Sequence, residues 1–219
     1  MTEHFNVAIA TPGRMMHAEY VQSLVKTTQL LSKERITYTL LNKYTSFVPT
    51  ARELTAIDSW SHNYDTDKIA GGKFSCEKIF WIDSDIEWEP EDFLKLYESD
   101  HDIVSGLYAI DPAGSVAVGY ANEHGMMTRV NKVEFLLHTD PVEVSGVGFG
   151  FLCVKSEVWE SIPRPWFLIG KMKWSPDDEL RVNVGEDYSC CGRAVSCGHK
   201  ILVDPTVHVK HHKETVYKI

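Results

Sequence analysis

Apolar and polar positions follow two alternating rhythms in the first half of the chain and a more broken pattern in the second. Phe5 to Ala10 reads as a buried strand, closed by the breaker Thr11-Pro12-Gly13, and Tyr20, Val21, Leu24, Val25, Thr28 and Leu31 then recur at helical spacing. Ile36 to Leu41 is a second strand of alternating, β-branched character. In the helix that follows, Pro49 sits where a helix start tolerates it and Ala51-Arg52-Glu53-Leu54 continues the pattern. The polar stretch from Ser61 to Lys73, with Gly71-Gly72, is expected as a loop. Lys78 to Ile82 is a short apolar strand running straight into Asp83-Ser84-Asp85, and the next helix carries Pro90 near its first position with Glu91 and Asp92 in its first turn. Ile103 to Tyr108 is the fourth strand. Strands that alternate with helices pair in parallel through right-handed crossovers, so this half predicts an open α/β sheet.

The second half changes character. Val116 to Val144 suggests short hairpins around Glu123-His124-Gly125, and Val147 to Val154 makes a glycine-interrupted strand before a helix starting at Ser156. Residues 162 to 184, with Pro163, Pro165, Trp166 and Trp174, read as a long irregular segment of the kind that forms lids or binding loops. A last helix opens at Glu186-Asp187 and stops near Gly198, and short strands at Ile201 to Val203 and Thr206 to Val209 lead to His211 and His212. No repeat, low-complexity tract or linker interrupts the chain, so residues 1–219 are expected as one domain.

Composition narrows the options. With 43% hydrophobic and 24% charged residues the chain folds, and a net charge of −9 repels nucleic acid and anionic lipid. The start, Met-Thr-Glu-His, has neither the basic region nor the apolar stretch of a signal peptide, and no apolar run is long enough for a membrane span, so a cytoplasmic protein is expected. Cys76, Cys153, Cys190, Cys191 and Cys197 contain no Cys-x-x-Cys pair and are expected as buried thiols.

Three elements carry chemistry. Asp83-Ser84-Asp85 follows an apolar strand at its carboxyl end, the edge where open α/β sheets bind ligands, and two carboxylates so placed can hold a hard divalent cation. Alone, an Asp-x-Asp is more often two solvated acids in a turn. Gly185-Glu186-Asp187 opens a helix, where acids also simply complement the dipole. His208, His211 and His212 offer imidazole near the C-terminus, or merely surface residues.

Taken together and in order, these elements resemble the GT-A nucleotide-sugar glycosyltransferases, closest to small enzymes of the family 2 type. The resemblance rests on Thr11-Pro12-Gly13-Arg14, Ala51-Arg52-Glu53-Leu54, Phe80-Trp81-Ile82-Asp83-Ser84-Asp85, Ser145 to Phe151, Gly185-Glu186-Asp187-Tyr188 and Asp204-Pro205-Thr206-Val207 with His211 four residues on. It spans roughly 200 of the 219 residues. It implies a Rossmann-like GT-A domain: a central, mostly parallel sheet flanked by helices, with a smaller antiparallel part on the acceptor side. It further implies a UDP- or GDP-sugar donor with base and ribose near Thr11, Pro12, Arg14 and Arg52, and Ser84 within the metal-binding Asp-Ser-Asp motif. Asp85 and His211 would ligate the metal directly, with Asp83 reaching the ribose or the metal through water. Oxygen and imidazole together suit Mn2+ or Mg2+, the histidine favouring Mn2+. Asp187 would be the base that takes a proton from a hydroxyl acceptor in a transfer with inversion, with a glycan as the expected acceptor and Glu186 as the second candidate; residues 1–110 would then be the nucleotide-binding half and 111–219 the acceptor and catalytic half.

The chain departs from the family where Gly13-Arg14-Met15-Met16 replaces the Tyr-Asn-Arg that many family 2 enzymes carry, which leaves Arg14 to face either base or phosphate. Trp159, Trp166 and Trp174 are candidates for sugar stacking, with core packing as the other reading. Competing functions are a sugar nucleotidyltransferase, a haloacid dehalogenase-like phosphatase, or a binding module without turnover. The first wants a glycine-rich phosphate loop where Thr11-Pro12-Gly13-Arg14 has one glycine, and the second wants a threonine or valine where Glu87 stands.

Overall fold

A computed structural model describes residues 2–60, 68–121, 127–173 and 181–213. Through the first half run β1 (Glu3–Ala10), α1 (Ala18–Lys33), β2 (Tyr38–Leu41), α2 (Val48–Ala56), β3 (Phe74–Ile82), the two-residue β4 (Ile86–Glu87), α3 (Pro90–Glu98) and β5 (Ile103–Leu107). The second half adds β6 (Ser115–Ala121), β7 (Met127–Asn131), β8 (Val142–Val144), β9 (Gly146–Val147), β10 (Phe151–Lys155) and α4 (Ser156–Ser161). It ends with β11 (Gly170–Lys173), β12 (Arg181–Val184), α5 (Glu186–Ser196), β13 (Ile201–His208) and β14 (Lys210–His211).

Seven strands form the central sheet in the order β2-β1-β3-β10-β5-β13-β8. β1 pairs in parallel with β2 and β3, and β5 in parallel with β13. β10 enters between β3 and β5 antiparallel to both, so those two still run the same way. β8 closes the far edge antiparallel to β13. The sheet is therefore mixed but mostly parallel, with small antiparallel sheets beside it.

Both faces of the sheet are covered, which is why its strands read as nearly continuous apolar runs rather than alternating ones. Val7, Ile9, Phe80, Ile82, Phe151 and Cys153 point to the side packed by Tyr20 and Leu31 of α1 and Phe93 and Leu96 of α3. Their chain neighbours Ala8, Ala10, Ile79, Trp81, Leu152 and Val154 point to the other side, where α2, α4 and α5 bring Leu54, Trp159 and Ala194. Helix α1 has two buried polar residues on the packed side, and both have partners: Ser23 accepts the Trp88 backbone N–H at 3.1 Å and Thr27 the Trp88 indole N–H at 2.8 Å.

Several details differ from the sequence expectation. The run 147–154 divides at Phe149-Gly150: β9 joins a sheet with β6 and β7, and β10 crosses into the main sheet. Where a hairpin was expected, β6 and β7 pair antiparallel; Glu123-His124-Gly125 lies outside the described residues. The segment 162–184 contains the hairpin β11–β12. Ile201 to His208 is one strand whose pairing breaks after Val203, at Asp204-Pro205. Trp159 and Trp166 are buried and meet each other at 5.5 Å between ring centroids, so both serve the core and not sugar stacking; Trp174 lies outside the described residues. All five cysteines are free, and Cys197 is exposed rather than buried. Among the described residues no helix is long and apolar enough to cross a membrane.

Glu53 anchors the segment after α4. Its carboxylate, 6% exposed, pairs with the Arg164 guanidinium at 2.9 Å and accepts the backbone N–H groups of Trp166 and Phe167 at 2.9 and 3.2 Å. Removing it takes the carboxylate from a buried guanidinium and the acceptor from two amide donors. Glu53→Ala should lower the free energy of unfolding by about 3–5 kcal/mol, the usual cost of breaking a buried pair from one side, as measured by urea denaturation; a change below about 1 kcal/mol would contradict this role.

Candidate functional site

Because β1, β3, β5 and β13 run the same way, their carboxyl ends open onto one edge of the sheet, the position where α/β sheets bind ligands. There a cleft of about 1200 Å³ is lined by the loop from Pro12 to His17, by Arg52 of α2, by Asp83-Ser84-Asp85 after β3, by Tyr108 after β5, by Asp187 of α5 and by His211 of β14. Elements from both ends of the chain thus converge on the expected residues. Glu186 sits immediately behind Asp187 on Arg52, and Thr11 is buried with its hydroxyl bonded to that of Tyr20 rather than turned into the cleft.

Gly13 and Ser84 bring the first loop against the aspartate loop. A Cβ on Gly13 would lie 3.1 Å from the Ser84 hydroxyl oxygen, a contact that leaves little room for a side chain. The Asn42 amide donates to the carbonyls of Thr11 and Gly13 and holds this loop from the β2 side. Arg14 lies over the Tyr44 ring at 5.7 Å, at the mouth of the cleft.

The two aspartates have different partners. Asp83 accepts both of its bonds from Arg52 Nη2, at 3.0 and 3.3 Å, and the same guanidinium donates through Nε to Glu186 at 3.2 Å. Arg52 is only 5% exposed, yet its pairing is with these two carboxylates and not with Glu53 or Asp58, the acids nearest to it in sequence. Burial works against its charge, but the surrounding Asp83, Glu186 and Asp187 outweigh that and hold it firmly protonated.

Asp85 faces His211 across the β4–β14 ladder, in which His211 pairs with Ile86. His211 Nδ1 lies 2.9 Å from the Ala109 carbonyl, a contact that needs a proton on Nδ1, and Nε2 lies 3.1 Å from Asp85 Oδ2. Without a cation, a protonated Nε2 pairs with the carboxylate. With Nε2 deprotonated, the same two atoms sit as neighbouring ligands would, since bonds of about 2.1 Å at right angles place ligands about 3 Å apart. The hydrogen bond from Nδ1 is the outer contact that orients a metal-binding imidazole. Burial alone would raise the Asp85 carboxyl, but the His211 bond and the charges of His211 and Lys213 hold it below the ordinary range.

Asp187 is the opposite case. Desolvation pushes its carboxyl up to about 6, with help from the neighbouring Glu186 and Asp83 charges, against the Tyr188 N–H and Arg52. A helix start favours the ionised acid, but burial acts the other way and is the larger effect here.

Some residues of the cleft had weak signals in the sequence. Tyr108 is buried beneath His211, the rings edge to face at 5.5 Å, and its hydroxyl accepts the Gly150 N–H at 3.0 Å. A Cβ on Gly148 would fall 2.2 Å from that hydroxyl and one on Gly150 2.7 Å from the ring carbon that bears it, so these two glycines marked a close approach by a bulky ring. Lys213 comes within 3.6 Å of Asp85 and had no sequence signal. His208 turns away, its Nε2 bonding the Pro205 carbonyl.

No protein-family model and no curated protein sequence matches the chain. Among solved structures, A197 from STIV aligns over 98% of this chain and 97% of its own, with 18% identity and a TM-score of 0.54. GalNAc-T7, solved with UDP, GalNAc and Mn2+, aligns over 94% of this chain with 13% identity and a TM-score of 0.56. The chain has the GT-A glycosyltransferase fold. It spans 43% of the GalNAc-T7 chain, and at these identities the likeness is one of fold. Within a GT-A fold the Asp83–Asp85 loop occupies the carboxyl edge of the sheet, beside the cleft described above.

The raised Asp187 has a consequence for stability. A folded-state value of about 6 against the usual 3.8 means that folding takes up a proton between these pH values. The stability this group contributes is full below about pH 4 and is lost as pH rises through 6, by up to about 3 kcal/mol. Asp187→Asn should therefore unfold in more urea than the unaltered chain at pH 8 and show no such gain at pH 4. Equal stabilities at pH 8 would contradict the burial of a charged carboxylate here.

Proposed function

We propose that the chain is a metal-dependent glycosyltransferase that moves a sugar from a UDP- or GDP-sugar to a hydroxyl acceptor, a glycan, with inversion. The observation that supports it best is the meeting, at the edge of a GT-A sheet, of a metal-competent Asp85–His211 pair with a separate, desolvated carboxylate, Asp187. In this reading residues 1–110 form the nucleotide side and residues 111–219 the acceptor and catalytic side.

Asp85 and His211 would hold Mn2+ or Mg2+, with Asp83 reaching the ribose, or the metal through water. Bound there, the cation supplies Lewis-acid neutralisation of charge building on the departing diphosphate. Arg14 and Lys213, both lining the cleft, add positive charge for the same anionic donor, while Pro12 and Met15 offer an apolar surface to the base. Arg52 keeps Asp83 in place by two hydrogen bonds.

Glu186 and Asp187 divide by their partners. Glu186 is committed to Arg52, whereas the Asp187 carboxyl lines the cleft and is raised to about 6, closer to neutral pH and so better matched to proton abstraction. Asp187 therefore takes the acceptor's proton as the glycosidic bond forms.

Two measurements test this. Calorimetry with UDP or GDP and Mn2+ should lose its metal-dependent affinity in Asp85→Asn and in His211→Ala; unchanged binding in both would sink the metal assignment. Turnover of the donor sugar should rise with pH as Asp187 ionises near 6, and Asp187→Asn should lower kcat by roughly 10²–10⁴ while donor affinity stays within about a few-fold. Near-normal turnover in that variant, or a product retaining the donor's anomeric configuration, would remove Asp187 as the base.

A further inference from the structure

A second group of ligand-bearing side chains lies beside the cleft. His17, just before α1, Glu19 in its first turn and His212, just after β14, each offer one ligand atom, and the three atoms all lie within 4.8 Å of one another. Among the described residues this is the one trio of histidine, cysteine, aspartate or glutamate brought so close. The two imidazoles come from opposite ends of the chain and face each other at 5.8 Å between centroids, tilted by 42°. An acid in the first turn of a helix is explained by the dipole alone. The dipole does not explain the two imidazoles: if both were protonated they would repel, and two neutral rings gain little from this half-exposed contact.

Backbone and outer contacts hold both histidines in place. The His17 N–H donates to the Ser84 carbonyl at 2.9 Å and the His212 N–H to the Asp85 carbonyl at 2.8 Å, so the aspartate loop fixes both. Glu87 engages Nε2 of His212 at 2.7 Å, which leaves Nδ1 to act as ligand and reproduces the carboxylate–histidine pairing that sets the orientation of metal-binding imidazoles. Successive side chains of an extended strand point to opposite sides, and here His211 turns to Asp85 while His212 turns to His17.

We propose that His17, Glu19 and His212 form a second cation site, distinct from the Asp85–His211 pair, which binds a transition metal and clips the start of α1 to the segment following β14. Two imidazoles and one carboxylate with an open position for water make a tetrahedral set suited to Zn2+ and Co2+, and poorly suited to Mg2+. Such a clip bridges the two segments that flank the aspartate loop, and it does not depend on the donor reading.

The test uses Co2+ as a spectroscopic probe of the full chain, because tetrahedral cobalt absorbs strongly in the visible, with Zn2+ as competitor. The unaltered chain should bind Co2+ with that spectrum and release it to Zn2+. The spectrum should persist in the double variant Asp85→Asn/His211→Ala. His17→Ala and Glu19→Gln should each weaken binding about tenfold or more, and Glu87→Gln roughly 10- to 100-fold. Glu19 is exposed, so its variant tests the site without disturbing the core, and a circular dichroism melt confirms that each variant is folded. No cobalt spectrum in the unaltered chain, binding that survives His17→Ala and Glu19→Gln, or loss of the spectrum in Asp85→Asn/His211→Ala would each overturn the proposal.

Discussion

One buried guanidinium organises the cleft. Three carboxylates, Asp83, Glu186 and Asp187, come together where a sheet strand and a helix start both end, and their mutual repulsion in a partly desolvated place would oppose folding. Arg52 lies among them on α2, donating to Asp83 and Glu186 while its guanidinium carbon lies 5.5 and 6.0 Å from the ring centroids of Phe149 and Trp81. A planar cation with several donors can bridge two acids on different elements, which a lysine ammonium cannot do with the same geometry. The aspartate loop, α2 and α5 are thereby held in register by one side chain.

That bridge also separates the roles of the acids. Asp83 and Glu186 are engaged by Arg52, Asp85 is paired with His211 and lowered, and Asp187 is left desolvated and raised. Four acids in one cleft thus reach three environments, and titratable groups pushed apart in this way can take different chemical roles.

Topology supplies the remaining constraint. β10 is inserted between β3 and β5, and Gly148 and Gly150 just before it make room for Tyr108 beneath His211. The short β4–β14 ladder then turns the chain's last described strand back across the aspartate loop, pairing His211 with Ile86 and Lys210 with Glu87. His211 and His212 reach the two sides of that loop only because this ladder fixes their register.

The first half of the fold was legible because each strand's apolar run is bounded by a breaker and each helix repeats its apolar positions at helical spacing; Ala18–Lys33 and Pro90–Glu98 are examples. The second half was less so, since Val147 to Val154 has a strand's composition throughout and only the path of the chain shows that it divides between two sheets at Phe149-Gly150. The sequence by itself determined the α/β class, the place of Asp83 and Asp85 at a strand's carboxyl end and the helix start at Glu186, because local pattern and turn chemistry act over a few residues. Only the tertiary structure decided that Arg52 pairs with Asp83 and Glu186, that His211 meets Asp85, that His212 meets His17 and that Asp187 is raised. Those outcomes depend on which distant segments share a small desolvated volume, and hydrophobic periodicity carries no information about that.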